Sequence, residues 1–233
     1  MPNFTKLTLV TENSNGEQQT FSIEPLVEKV LTKEEQDALS PDDVIKSLKE
    51  GNERFVANDL TARDHNAQVR KAIDGQFPKA VILSCVDSRV PVEDVFDKGI
   101  GDIFVARVAG NFVNVDILGS MEFGCKVSGS KVILVLGHEH CGAVKAAVDD
   151  VKLGNITDML TKIRPAVDAV TYDGDRTSKN AEFVHMVCEE NVRKTMNDIR
   201  EKSPILKEME DNGEIKIIGG VYDMDTGAVD FFA

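Results

Sequence analysis

Three short runs, AVILSCV (80–86), DIFVARVA (102–109) and KVILVLG (131–137), are almost unbroken in apolar residues. Runs of this length, rich in Val and Ile, read as strands, and the third has the near-continuous apolarity of a strand buried on both faces. Behind each run the apolar period lengthens. PVEDVFD (91–97) opens on Pro as a helix can, VDILGSMEFGCKV (115–127) spaces Ile117, Met121 and Cys125 along one helical face, and CGAVKAAVDDVKLG (141–154) reads as a helix ending at Gly154. Two more helical stretches are expected near 155–170 and 181–201, and EIKIIGGVYD and AVDFFA flank the turn MDTG as a strand pair. Ahead of the first strand, SPDD (40–43) has the chemistry of a helix start: a Ser cap, Pro in the first turn and two carboxylates. Val44, Ile45, Leu48, Phe55 and Val56 then form an apolar face, with a break expected at Gly51. The alternation predicts an α/β fold, a mainly parallel sheet flanked by helices with an antiparallel edge strand at the C-terminus, in one domain over 40–233. Residues 1–39 read as an arm: FTKLTLV as a strand, ENSNGEQQ as a loop and PLVEKVLTKEEQDAL (25–39) as a helix.

Composition narrows the partners. A net charge of −13 over 233 residues repels phosphate backbones, and no basic cluster interleaved with aromatics offsets it, so nucleic acid is not expected. No apolar run approaches the roughly 20 residues of a membrane span. The N-terminal stretch has neither a basic nor an apolar signal-peptide region. Four cysteines are few for a disulfide framework in a chain this long, and two sit beside other metal-ligating residue types. Reduced thiolates and a cytoplasmic address are expected, with the periplasm as the alternative for a chain whose signal has been removed.

Chemistry concentrates in CVDSRV (85–90) and GHEHCGAV (137–144). Each follows a predicted strand, and in open α/β sheets sites form beyond the carboxyl ends of strands. Cys85, His138 and Cys141 together make a soft tetrahedral donor set that suits Zn²⁺, with Gly137 and Gly142 expected to make the turn between strand and helix. Three protein ligands leave one position open, as in catalytic rather than structural zinc sites. Asp87 and Arg89 stand at two-residue steps from Cys85, so an extended chain would point all three the same way. A carboxylate there is either a fourth ligand or the holder of a metal-bound water, and Arg89 is suited to clamp it. The plainer alternatives are an ordinary turn for H-x-x-C and a buried thiol for Cys85. Cys85 and Arg89 are too close for the phosphate loop of a cysteine phosphatase, and no C-x-x-C is present. His140 reads as solvent-facing or as a support to the site, His65 and His185 as structural or exposed, Cys125 and Cys188 as packing.

The paired motifs CVDSRV and GHEHCG, with RVAGN at 107–111, resemble the β-class carbonic anhydrases over about residues 40–230. The resemblance implies one zinc per subunit on Cys85, His138 and Cys141, with Asp87 and Arg89 as a catalytic dyad. It implies four parallel strands with a fifth added antiparallel, in a dimer that can pair into tetramers. It also implies that Gln76 and Phe104 line the substrate pocket, with Phe123 where many plant-like members carry Tyr. In the family these three come from the neighbouring subunit, and N-terminal helices, here 24–39, embrace the partner. The reaction implied is reversible hydration of carbon dioxide to bicarbonate and a proton by zinc-bound hydroxide, with Gln76 and the backbone N–H near Gly142 holding bicarbonate oxygens. One branch of the family is closed by bicarbonate at a second site that includes a Trp; here Ile82 and Ser84 occupy the diagnostic places and the chain has no Trp, which implies the open-site, plant-like branch. Two rivals share these residues: hydrolysis of carbonyl sulfide or carbon disulfide on the same fold, and a non-enzymatic zinc-stabilised module.

Overall fold

The computed structural model describes residues 7–13, 15–23 and 25–232 of the chain. Its first strands, β1 (Leu7–Glu12) and β2 (Gln18–Ile23), form a separate antiparallel hairpin, register Leu7↔Ile23 to Glu12↔Gln18. Asn13 makes the turn by accepting the backbone N–H groups of Asn15 and Glu17 at 3.0 Å each. Phe4–Lys6, the start of the strand expected from FTKLTLV, lie outside the described residues, as does Ala233.

The helix expected over 25–39 shrinks to α1 (Lys33–Asp37), capped by Thr32 and Glu35. Ahead of it the backbone of Val27 exchanges hydrogen bonds with Ala62 and Asp64, forming a bridge beside Arg63 that a helix would forbid. Buried Gln36 donates to the carbonyls of Pro78 (2.7 Å) and Ser128 (2.8 Å), so this segment is fastened to its own chain. α2 (Pro41–Val56) has the Ser40–Asp43 capping box and runs unbroken through Gly51, whose missing side chain admits the Phe96 carbonyl: an added Cβ would lie 1.9 Å from that oxygen. α3 (His65–Lys71), not anticipated from sequence, follows.

The main sheet comprises β3 (Ala80–Ser84), β4 (Ile103–Arg107), β5 (Val132–His138), β6 (Lys216–Tyr222) and β7 (Val229–Phe232), in the order β4-β3-β5-β6-β7. All neighbours are parallel except β6 and β7, as the pattern predicted. Period-two alternation splits the core into two layers. Val81, Leu83, Ile133 and Val135 face one side, against α5 (Val115–Glu122) with its continuing π turn (Phe123–Val127), α9 (Ala181–Lys202) and α10 (Pro204–Asp211). Ala80, Ile82, Val132, Leu134 and Leu136 face the other, against α2 and α4 (Val92–Val95).

Beyond the carboxyl ends of β3 and β5, a third apolar cluster is covered by α6 (Gly142–Val148), α7 (Gly154–Leu160) and α8 (Arg164–Ala169). α6 stops at Val148 rather than Gly154, because Asp150 takes a left-handed conformation (φ 52°) that ends a helix. The stretch 155–170 divides at residues 161–163, and α8 restarts with Pro165 at its second position, where a missing backbone N–H breaks no intrahelical bond. α10, also not anticipated, begins where Ser203 closes α9, accepts the Leu206 N–H and precedes Pro204. No helix among the described residues is long and apolar enough to cross a membrane.

Candidate metal centre

β3 and β5 are adjacent and parallel, with Ser84 opposite Leu136, so their carboxyl ends deliver Cys85 and His138 side by side. The strand order reverses here, since β4 lies on one side of β3 and β5 on the other. Cys85, His138 and Cys141 are 4 %, 0 % and 1 % exposed, and their donor atoms all fall within 4.8 Å of one another. The two sulfurs are 4.0 Å apart, close to the roughly 3.8 Å that tetrahedral geometry sets for two thiolates at about 2.3 Å from zinc.

The imidazole is oriented for the same task. Nδ1 lies 2.7 Å from the Glu139 carbonyl, which can only accept, so Nδ1 carries the hydrogen and Nε2 keeps its lone pair. Nε2 is buried and has no hydrogen-bond partner. An orphaned acceptor facing two thiols is costly alone and is satisfied by a soft dication. The thiols agree with this: the hydrogen bond between them lowers Cys85 and raises Cys141, with burial opposing ionisation of both. Two anions cannot persist there together without a cation. The donor set therefore fits Zn²⁺.

The expected extended run through Asp87 and Arg89 is absent. β3 ends at Ser84, and Asp87 makes a turn, its Oδ1 accepting the Arg89 backbone N–H at 3.0 Å and its carbonyl the Val90 N–H at 3.2 Å. This turn, not strand alternation, brings the two side chains together: Arg89 Nε and Nη2 donate to the two carboxylate oxygens at 2.9 and 2.7 Å. The guanidinium holds the Asp87 carboxyl well below the usual carboxylate range, against the opposing effect of partial burial. Asp87 Oδ2 also lies 3.9 Å from His138 Nε2, on the metal-facing side of the ring.

The turn after His138 likewise differs from expectation. Its left-handed residue is exposed His140 (φ 55°), not a glycine. Gly137 serves close packing, since an added Cβ would come within 2.7 Å of Val192, while one on Gly142 meets nothing within 4 Å.

The family model for carbonic anhydrase matches residues 80–229, a span holding all five of these residues. The chain belongs to the carbonic anhydrase family. It is 38 % identical over 191 residues to carbonic anhydrase 2 of Mycobacterium tuberculosis, covering 78 % of this chain and 88 % of that one. Its fold is that of solved β-carbonic anhydrases. One, from Coccomyxa in complex with acetazolamide, aligns at TM-score 0.63 and 24 % identity over 80 % of this chain and 83 % of that one. Another, among the tetrameric enzymes of Sordaria macrospora, aligns at 0.62 and 22 % over 71 % and 85 %.

The substrate-wall residues expected of this family lie elsewhere. Gln76 is exposed in the loop before β3, so the whole strand, roughly 16 Å at about 3.3 Å per residue, separates it from Cys85. Phe104 pairs with Val81, about 13 Å short of Cys85 by the same rise, and packs on Phe123 with ring centroids 6.2 Å apart. Both line a groove of about 710 Å³ beside Ile117 and Val115. Gly142, by contrast, opens α6 next to Cys141.

Sequence reading missed what supports the centre. Arg107, the first residue of RVAGN, donates to the carbonyls of Cys85 (3.0 Å) and Val90 (2.9 Å), bracketing the Asp87 turn. Cys188, read as packing, donates to the His138 carbonyl at 3.3 Å. Cys125 is packing, buried in the core beneath α5. His185 bridges Glu139 (3.2 Å) and Glu189 (3.6 Å).

Proposed function

We propose that this chain catalyses the reversible hydration of carbon dioxide to bicarbonate, with one zinc ion on Cys85, His138 and Cys141 and with Asp87 and Arg89 as its working dyad. The observation that carries the reading is the partnerless, buried His138 Nε2 facing two thiols, with an arginine-held carboxylate 3.9 Å away. Zinc held there supplies Lewis acidity, bringing the pKa of water toward neutrality. Asp87, kept anionic by Arg89, accepts the hydrogen of the attacking oxygen and so aims a lone pair at carbon. Arg89 fixes which carboxylate oxygen does this, its fork using both. The Gly142 N–H, in the first turn of α6 where backbone donors lack intrahelical partners, is placed to meet a developing carbonate oxygen.

The pocket is completed by a second copy. Gln76, Phe104 and Phe123 are too far along the sheet to reach their own centre, so they wall the partner's. β4 is an edge strand beside an exposed apolar face with Phe123, Val127 and Val115 at 52 %, 71 % and 79 % exposure, and such a face favours self-association. A dimer, able to pair further, follows. The site is of the open type, not closed by bicarbonate: Ile82 and Ser84 are fully buried and offer no indole donor, and Asp87 is engaged by Arg89. Four free thiols, two of them facing each other, suit a reducing, cytoplasmic setting.

Metal analysis with stopped-flow carbon dioxide hydration tests this. About one zinc per chain and rapid turnover are expected, both lost in Cys85→Ser and kept in Cys125→Ser, with bicarbonate giving no sigmoidal kinetics. Full activity in metal-free Cys85→Ser protein would sink the assignment.

A further inference from the structure

Helix α9 presents two polar groups to the metal centre from behind, three residues apart and so on one face. The Cys188 thiol reaches the His138 carbonyl. Asn191, 1 % exposed, donates from Nδ2 to the Gly110 carbonyl at 2.9 Å, bridging 81 residues of chain. Its Oδ1 is buried without a partner. An apolar residue of similar volume would fill this place with no orphaned acceptor, so packing alone does not call for an asparagine. What the amide does hold is the Gly110 carbonyl.

Gly110 is a poor candidate to hold itself. It sits at φ 82°, and an added Cβ would come within 2.3 Å of Ile163, so only glycine fits, and glycine brings the most backbone freedom of any residue. Yet its N–H makes a bond the centre needs, donating to the Cys85 sulfur at 3.4 Å. An N–H aimed at a thiolate withdraws charge from sulfur. That steadies the anion and tempers what it donates to a metal. The N–H and the carbonyl belong to the two peptide groups that meet at the Gly110 Cα. A grip on the carbonyl therefore limits φ and ψ of Gly110 and through them the direction of the N–H. If Gly110 turns, Cys85 loses this donor while the three ligating side chains stay in place.

We propose that Asn191 is a positioning residue for the metal centre: by gripping the Gly110 carbonyl it keeps the Gly110 N–H on the Cys85 sulfur and so sets the donor strength of that thiolate. The inference rests on the reading of Cys85, His138 and Cys141 as the metal site. It concerns a residue that touches neither metal nor substrate, so its effect must be read at the sulfur rather than through turnover alone.

The test uses full-length protein loaded with Co²⁺, whose thiolate-to-metal charge-transfer band reports sulfur donor strength. Asn191→Leu keeps the branched outline and heavy-atom count and removes both the donor and the orphaned oxygen. The band is expected to move to longer wavelength, because a sulfur without its N–H is easier to oxidise. Release of cobalt to a chelator should become about ten- to a hundredfold faster, because the sulfur that loses the Gly110 N–H is no longer held in orientation by it, and this outweighs its stronger donation. Ile199→Val, at the far buried end of the same helix, is the control for general loosening: it lowers thermal stability and leaves band and release rate in place. A band at the wild-type wavelength in Asn191→Leu, or release accelerated only as far as loss of metal-free stability accounts for, overturns the proposal. If Asn191→Leu does not fold, Asn191→Ala, which removes the donor without adding bulk, carries the test with the same two outcomes. Wild-type protein that shows no thiolate band with Co²⁺ would refute the metal site itself, a result distinct from an unmoved band in the variant.

Discussion

Asp87 and Asp97, ten residues apart, are both gripped by arginine, and burial separates what the two pairs can do. Asp97 is fully buried at its side chain, and both oxygens are fully engaged: Oδ1 accepts from Arg63 (2.5 Å) and the Thr61 N–H (3.1 Å), Oδ2 from Arg54 (2.6 Å) and the Thr61 hydroxyl (2.7 Å). Asp87 has one arginine, itself 56 % exposed, and its Oδ2 still faces the donor cluster. In both, hydrogen bonds from arginine hold the carboxyl well below its usual range; at Asp97 burial is the largest single influence and opposes this, but two guanidinium groups and Thr61 outweigh it. A saturated, dry carboxylate joins α2 to the loop after α4. One with an oxygen facing the donor cluster can take up a hydrogen.

The comparison predicts opposite phenotypes for the same substitution. Asp87→Asn should lower carbon dioxide turnover at least about a hundredfold, the scale of a lost acid–base group, while zinc content and melting temperature stay near wild type. Asp97→Asn should do the reverse. Asn tolerates the left-handed backbone at this position (φ 47°), so the loss is electrostatic: two guanidinium groups keep no counterion, at a cost of about 3–5 kcal/mol. Calorimetry should register a melting temperature roughly 10 °C lower, with turnover per folded molecule unchanged. A variant at Asp97 that loses turnover but not stability would erase the distinction.

Acid sharpens it further. A carboxyl whose folded pKa lies below its unfolded value of about 3.9 contributes its stability in full above that value, and loses it as pH falls toward the folded value. Denaturant midpoints of wild type and Asp97→Asn should therefore differ by a constant amount from neutrality down to about pH 4 and converge below it. The smallest effect separates the two arginines of the buried cluster. Arg63 is 13 % exposed and also reaches the carbonyls of Thr61 and Asp97, whereas Arg54 is 38 % exposed with a single bond to this carboxylate. Arg54→Gln should cost about 1 kcal/mol or less, and Arg63→Gln clearly more, in the same unfolding assay.

Local chemistry determined much of this protein directly. The apolar periods of 80–137 are strand and helix signals that need no partner to be read, and they specified a parallel sheet; the strand pair around MDTG added the antiparallel last strand. Cys85, His138 and Cys141 were legible as one donor set because parallel strands must end on the same side, which brings motifs following two strands together. Tertiary contacts decided the rest. Residues 25–32 have helical composition but bridge to Arg63, because pairing with the 61–64 segment supplied backbone partners that a short helix end could not. The helix through Gly51 survives because the Phe96 carbonyl fills the space a side chain would need. The Asp87–Arg89 geometry came from a turn that Asp87 builds with its own side chain and Arg107 brackets from β4. Asn191 gave no sequence signal and Cys188 read only as packing; what each bonds depends on elements that begin more than 50 residues earlier. Periodicity is a property of neighbouring residues and can be read along the chain. A hydrogen bond spanning 81 residues exists only once the core has closed around it.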